Sequence, residues 1–243
     1  MAKNTMVLYG RNSVFERLKA NPKSIRKVFL EENFQVPYIE ELIKKNNIPV
    51  ERLSAKDLVR VKPTKDLQGI TARVEDFKYS SFEELLERPQ DQRLTLIFLD
   101  RISDPQNLGV IIRTAACFGE FALIIPKFQA CAVTEAVLHV ASGGENHVAV
   151  CMVSNISNAI IAAKKQGYWI MGALVSDDAK SLNKVSLPFP LAVVFGSEGE
   201  GIRYGVKKHL DLEVQIPMKG ARLSFNVAMA CAIFCYEIAR QKI

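Results

Sequence analysis

The chain has 243 residues, 49% of them hydrophobic and 24% charged, with a formal net charge of +6. That supplies enough apolar material for one large core or two smaller ones, and the absence of low-complexity tracts excludes a largely disordered chain. The longest apolar runs, such as residues 95–99 and 191–195, are far too short to cross a bilayer, and Met1-Ala2-Lys3-Asn4-Thr5 does not open a secretory leader, so a soluble cytoplasmic protein is expected.

In chain order, residues 6–9 read as a strand. Residues 12–20 read as a helix with Val14, Phe15 and Leu18 on one face, stopped by Asn21-Pro22. Residues 25–31 alternate like a strand, and 36–46 form a helix with Ile39, Leu42 and Ile43 inward. A short strand at 50–53 leads to Ser54, which is placed to cap a helix over 55–61, and 68–74 is a last strand. This first unit, residues 1–75, is a small α/β domain. It holds 15 Lys/Arg against 9 Asp/Glu, whereas the remaining residues hold 17 of each. The whole positive excess therefore sits in the first third, as in a polyanion-binding module joined to a neutral one. Residues 76–93 are polar, carry Pro89 and read as an adjustable linker with one helical turn at 82–87.

From Leu94 the strands become strongly apolar, at 95–99, 122–125, 148–153, 169–174, 191–195 and 212–216. Helices fall between them at 108–118, 134–140, 155–166, 202–208 and 225–243. The fold class is α/β. Residues 94–243 are expected to form a mostly parallel sheet with helices on both faces, because such strands are buried on both sides. A ligand site in such a sheet lies at the carboxyl ends of the strands, which singles out the loops after Asp100, Phe195 and Ile216.

The first loop, Ser103-Asp104-Pro105-Gln106-Asn107-Leu108-Gly109, runs into a helix that carries Arg113. Asn107 is placed to cap that helix, and a guanidinium at Arg113 can grip a phosphate or ribose oxygen. The second, Gly196-Ser197-Glu198-Gly199-Glu200-Gly201, lets the backbone approach a ligand closely. Its glycine order is not the dinucleotide fingerprint and no phosphate-loop motif occurs, which disfavours a nicotinamide-dependent oxidoreductase. Its two carboxylates suit a ligand with hydroxyls and a positive centre. In the third, Ser224 and Asn226 open an otherwise apolar, alanine-rich helix that can pack against another helix, including one from a second subunit. The five cysteines form no C-x-x-C pair, and Cys231 and Cys235 lie one turn apart among alanines, as buried small hydrophobes do. His139, His147 and His209 are scattered and give a metal site no support.

Asn107 with Arg113, Glu198 in G-S-E-G-E-G, and Ser224-x-Asn226 after I-P-M, in this order, resemble the motifs of the SpoU (TrmH-like) family of RNA 2'-O-ribose methyltransferases. The first third is similar to the ribosomal-protein-like substrate-binding domain of its rRNA members. The resemblance implies a C-terminal trefoil knot, a homodimer, and S-adenosylmethionine as cofactor. It implies that Gly196, Ile216 and Phe225, with Gly201, Met218 and Leu223 alongside, hold that cofactor. It also implies catalytic roles for Arg113, Asn107, Glu198, Ser224 and Asn226. Arg113 would fix the 2'-hydroxyl and its phosphate, Asn107 and Asn226 would orient it, and Ser224 would shape the site near the methionine moiety. The implied substrate is RNA: a guanosine of large-subunit rRNA, with tRNA or a non-catalytic RNA-binding role as the alternatives. Three positions depart from the family pattern: Ala228 stands where a second serine is usual, Phe225 where a leucine is usual, and the glutamate expected near the S-G-A segment is displaced, Glu145 preceding Asn146 after Ser142-Gly143-Gly144.

Overall fold

A computed structural model describes residues 5–221 and 223–242, which form two β-sheets with helices packed on both. The first unit runs β1 (Thr5–Tyr9), α1 (Arg11–Ala20), β2 (Ile25–Glu31), α2 (Pro37–Lys45), β3 (Val50–Leu53), α3 (Ala55–Val61) and β4 (Ile70–Glu75). Its strand order is β1-β4-β2-β3, antiparallel except for the β2–β3 pair. Val28 and Leu30 of β2 face the main core with Val14 and Leu18 of α1. Phe29 points the other way, to Tyr9, Leu58 and Leu67 under α3. Ser54 does cap α3, its hydroxyl accepting from Asp57 N at 3.2 Å.

The second unit follows α4 (Phe82–Leu86) and runs β5 (Thr95–Asp100), α5 (Pro105–Phe118), β6 (Phe121–Pro126), α6 (Glu135–Ala141), β7 (Ala149–Val153), α7 (Ile156–Lys165) and β8 (Trp169–Ala173). It continues through β9 (Lys180–Ser181), β10 (Leu191–Gly196), α8 (Tyr204–Lys207), β11 (Leu212–Gln215) and α9 (Val227–Lys242). The strand order is β7-β6-β5-β10-β8-β11-β9 and every described pairing is parallel. Alternate residues of β5, β6 and β10 serve two cores. Ile97, Leu123 and Val193 pack under α5, α6 and α9, whereas Phe98, Ile124 and Val194 pack under α4 and α7. Covering both faces is what makes these strands apolar at every position. The two-residue β9 went unread in the sequence, since it is too short to show a period.

Two helix starts differ from expectation. α5 begins at Pro105, and its cap is Asp104, whose Oδ1 accepts from Gln106 N at 2.9 Å, so Asn107 lies inside the first turn rather than at the cap. α9 begins at Val227, not 225. Asn226 is its cap, with Oδ1 accepting from Ala228 N at 2.8 Å, and Ser224 stays in the loop. In both cases a short polar side chain nearer the first regular turn reaches the free amides first. The expected helix end at 243 lies outside the described residues.

The segment between the sheets is anchored. Phe82, Leu85 and Leu86 are buried against the second sheet, and Ser80 N donates to Val150 O at 2.9 Å. The two units share one continuous core. His139 of α6 stacks on Tyr9 with centroids 4.1 Å apart, and Arg17 of α1 pairs with Glu145 at 3.2 Å. A Cβ on Gly143 would come within 2.4 Å of Glu16 Cβ, so only glycine lets α1 lie this close to the turn after α6.

Candidate active site

The chain order reverses between β5 and its neighbour β10, the position where an open parallel sheet leaves a crevice at its carboxyl end. The loops after β5, β10 and β11 meet there beside a cleft of about 900 Å³. Of the residues singled out in the sequence, Gly196, Glu198, Gly201 and Ile216 line it, as do Met218, Ser224, Phe225 and Asn226. The β10 loop doubles back, Gly201 N donating to Ser197 O at 2.9 Å. A Cβ on Gly196 would fall 2.0 Å from the Gly201 carbonyl carbon. The glycine therefore serves a backbone-on-backbone contact as well as an open ligand wall.

Three of the expected polar residues form one network. Asn107 Nδ2 donates to Glu198 Oε1 at 3.0 Å, and Asn226 Nδ2 reaches the same oxygen at 2.9 Å and Asn107 Oδ1 at 2.9 Å. Because Asp104 and not Asn107 caps α5, the Asn107 amide is free for this role. Asn226 works at both ends of its amide, the oxygen capping α9 while the nitrogen ties α9 to the β5 and β10 loops. Hydrogen bonds to a carboxylate are the stronger kind, so each asparagine fixes the loop on which Glu198 rides.

Two ion pairs clasp the same loops and were not read in the sequence. Asp100, fully buried at the end of β5, accepts from Arg203 N at 3.0 Å and from Arg203 Nε at 2.8 Å. Arg101 Nη2 donates to Glu200. Arg101 sits at φ 64, where a side chain costs on the order of 1 kcal/mol, and its Nε is buried without a partner. Glu198 and Glu200 both line the cleft, and each also has a partner within the protein: Glu198 is held by two asparagines and Glu200 by an arginine. The strand-end Asp-Arg pair was visible in the sequence, but nothing local signals partners a hundred residues away.

Three expected residues do not line the cleft: Asn107, which stands behind Glu198 and Asn226 as their hydrogen-bond partner, Leu223 and Arg113. Leu223 is exposed and does not line it, because the loop before α9 turns that side chain to solvent. Arg113 is exposed on α5 in a stripe with Val110 and Cys117, away from the lining residues. Of the three departures, Phe225 lines the cleft, and Ala228 is buried in the first turn of α9, where a hydroxyl would have to find a partner. Glu145 is buried behind α5, and desolvation raises its carboxyl above the usual range despite the opposing pull of Arg17. A Cβ on the preceding Gly144 would come within 3.0 Å of Arg113 Cα. Among the described residues no group of three His, Cys, Asp or Glu side chains comes together to hold a metal.

Comparison with known proteins agrees with this geometry. Residues 94–236 match the SpoU rRNA Methylase family, and residues 7–80 match the RNA 2'-O ribose methyltransferase substrate binding domain. The 23S rRNA (guanosine-2'-O-)-methyltransferase RlmB of Coxiella burnetii is 36% identical over 97% of this chain and 95% of its own. A protein of Staphylococcus haemolyticus named for the TrmH family of tRNA/rRNA methyltransferases is 31% identical over 98% of this chain and 96% of its own. The SpoU methyltransferase AviRb of Streptomyces viridochromogenes, solved with AdoMet, superposes with a TM-score of 0.80 at 20% identity, covering 98% of this chain and 90% of that one. A TrmH/SpoU tRNA-modifying enzyme of A. aeolicus superposes with a TM-score of 0.55 at 24% identity, covering 66% of this chain and 80% of that one.

Fold, cleft and family matches together define an RNA methyltransferase. The chain belongs to the SpoU rRNA Methylase family and carries that family's substrate-binding domain ahead of it.

Proposed function

We propose that this protein transfers a methyl group from S-adenosylmethionine to a ribose 2'-hydroxyl of a guanosine in large-subunit rRNA. The observation that carries the reading is the Asn107–Glu198–Asn226 network, set at the rim of a cleft that three strand-end loops build. The cleft fits the cofactor: it is large enough for a nucleoside with an amino-acid tail, and the doubled-back loop at Gly196 offers main-chain groups to it. Gly196, Gly201, Ile216, Met218 and Phe225 would hold it, and Ser224 would lie beside its methionine end. When bound it supplies an electrophilic methyl on a sulfonium. The chain must then align the attacking hydroxyl, keep water away and stabilise the developing alkoxide.

Arg113 is assigned the last of these roles. A guanidinium with a pKa above about 12 is a poor base, but it can hold a ribose oxygen and a phosphate together. Since Arg113 stands outside its own cleft, we assign it to the cleft of a second copy. Val110, Phe118, Met229 and Tyr236 are exposed on α5 and α9 next to it, and such an apolar face suits a homodimer. Large-subunit rRNA is favoured by the full-length match to RlmB, whereas the tRNA-modifying enzyme superposes on 66% of the chain. On this reading the protein works in the cytoplasm, and a knotted terminal segment belongs to the same assignment.

The test is transfer of radiolabel from S-adenosylmethionine to rRNA and, separately, tRNA from cells lacking 2'-O-methylation. The expected result is label in large-subunit rRNA, lost at least about 100-fold in kcat with Arg113→Ala. Label confined to tRNA would reassign the substrate, and cofactor binding without transfer to any RNA would leave an RNA-binding scaffold. Retention of more than about a tenth of kcat would remove Arg113 from the chemistry.

A further inference from the structure

Beside the cleft, paired with the lining residue Glu200, stands an arginine that its present partner does not satisfy. Arg101 follows the last residue of β5, beside the loop that carries Glu198 and Glu200. Its side chain is 21% exposed and Nη2 donates to Glu200 Oε2. Nε, on the edge of the guanidinium that a bidentate acceptor uses, is buried and has no acceptor. The carboxylate opposite is 72% exposed, a solvated partner of the kind that contributes little to stability. The backbone at φ 64 nevertheless holds the arginine there. Strain of this sort persists where the surroundings dictate it, and it is concentrated at functional sites.

From these observations, and resting on the RNA-methyltransferase reading above, we propose that Arg101 receives an RNA backbone phosphate beside the cleft and that Glu200 occupies it until RNA arrives. A phosphodiester offers two oxygens, so it can accept from Nε and Nη2 together, which Glu200 does not do here. The exchange frees Glu200, and with it the Gly199–Gly201 part of the loop that lines the cleft, at the moment substrate docks. Glu200 thus acts as an intramolecular competitor of RNA and discriminates against weakly held polyanions. The neighbouring Arg203 does not share this role, because the fully buried Asp100 accepts from its Nε and backbone N.

The two partners should therefore change RNA affinity in opposite directions. The probe is a large-subunit rRNA hairpin fragment, with binding to full-length protein measured by fluorescence anisotropy between about 50 and 200 mM salt. Arg101→Gln weakens binding about tenfold, and the slope of log K against log salt falls by about 1, one phosphate contact. Glu200→Gln tightens binding about threefold at the lower salt, and the double variant behaves as Arg101→Gln. Calorimetry without RNA separates the other anion in reach, the carboxylate of S-adenosylmethionine: its Kd stays within about threefold in Arg101→Gln. Weaker RNA binding by both single variants overturns the proposal, since it would make the pair a simple structural clasp. So does an effect confined to cofactor Kd. Methyl transfer is followed in parallel: a wild-type protein that binds the hairpin and transfers no methyl refutes the functional reading, while the opposed shifts still decide the role of Arg101.

Discussion

The ion pair between the two units offers a perturbation whose size follows from the structure. Arg17→Met keeps the length of the side chain and removes its charge, leaving the fully buried Glu145 carboxylate with Asn146 and its own backbone N–H but no cation. Losing one partner of a buried pair costs about 3–5 kcal/mol when the remaining charge cannot escape. Glu145 can escape by taking up a proton. From its ordinary value of 4.5 to pH 7 that costs at most about 3.4 kcal/mol, at about 1.36 kcal/mol per pH unit. At pH 5 the same step costs about 0.7 kcal/mol, so the loss in the variant is steeply dependent on pH. The sign follows from the direction of the shift. Desolvation already raises Glu145, so the fold favours its protonated form; that contribution is fully present below 4.5 and is lost as pH rises through the raised value. Without Arg17, which opposes the rise, the value climbs further and the gap to wild type widens from pH 5 to pH 7. Urea unfolding at both pH values measures this. Trp169, the single tryptophan, reports on the second sheet, and far-UV circular dichroism reports on both units. Because one core runs through both units, the two signals should unfold together. Adding Glu145→Leu removes the stranded acid and should recover most of the loss. A loss below about 1 kcal/mol at pH 7, or one equal at both pH values, would refute the argument that this carboxylate needs Arg17.

Three other outcomes are expected. Gly196→Ala should abolish S-adenosylmethionine binding in calorimetry, because its methyl would lie 2.0 Å from the Gly201 carbonyl carbon, whereas Gly205→Ala, with open space around it, should not. Asn226→Asp keeps an oxygen to cap α9, and thus stability, but sets a second carboxylate against Glu198. Cofactor affinity should fall about tenfold or more, while Asn226→Ala should add about 1 kcal/mol of destabilisation from the lost cap. With a thiol reagent at pH 8, exposed Cys117 should react first, and more slowly as rising protein concentration pairs the α5–α9 faces. Cys151, its thiol pushed up to about 11 by burial, and the buried Cys231 and Cys235 should react only after unfolding.

What residue order determined by itself was everything set by local pattern. The runs at 95–99 and 191–195 announce strands covered on both faces, Ser54 announces a helix start, and the glycines and short polar residues at three strand ends mark the candidate site. Only the tertiary structure decided the partners of those residues. That Glu198 finds the amides of Asn107 and Asn226, and Glu200 the guanidinium of Arg101, depends on loops that are distant in sequence and meet because β5 lies beside β10. The polar segment before β5 read as adjustable because its charges dominate its composition. Three apolar side chains, Phe82, Leu85 and Leu86, suffice to anchor it once the sheet is there to receive them. Periodicity records which way a residue points, whereas a hydrogen bond across a hundred residues leaves no period behind.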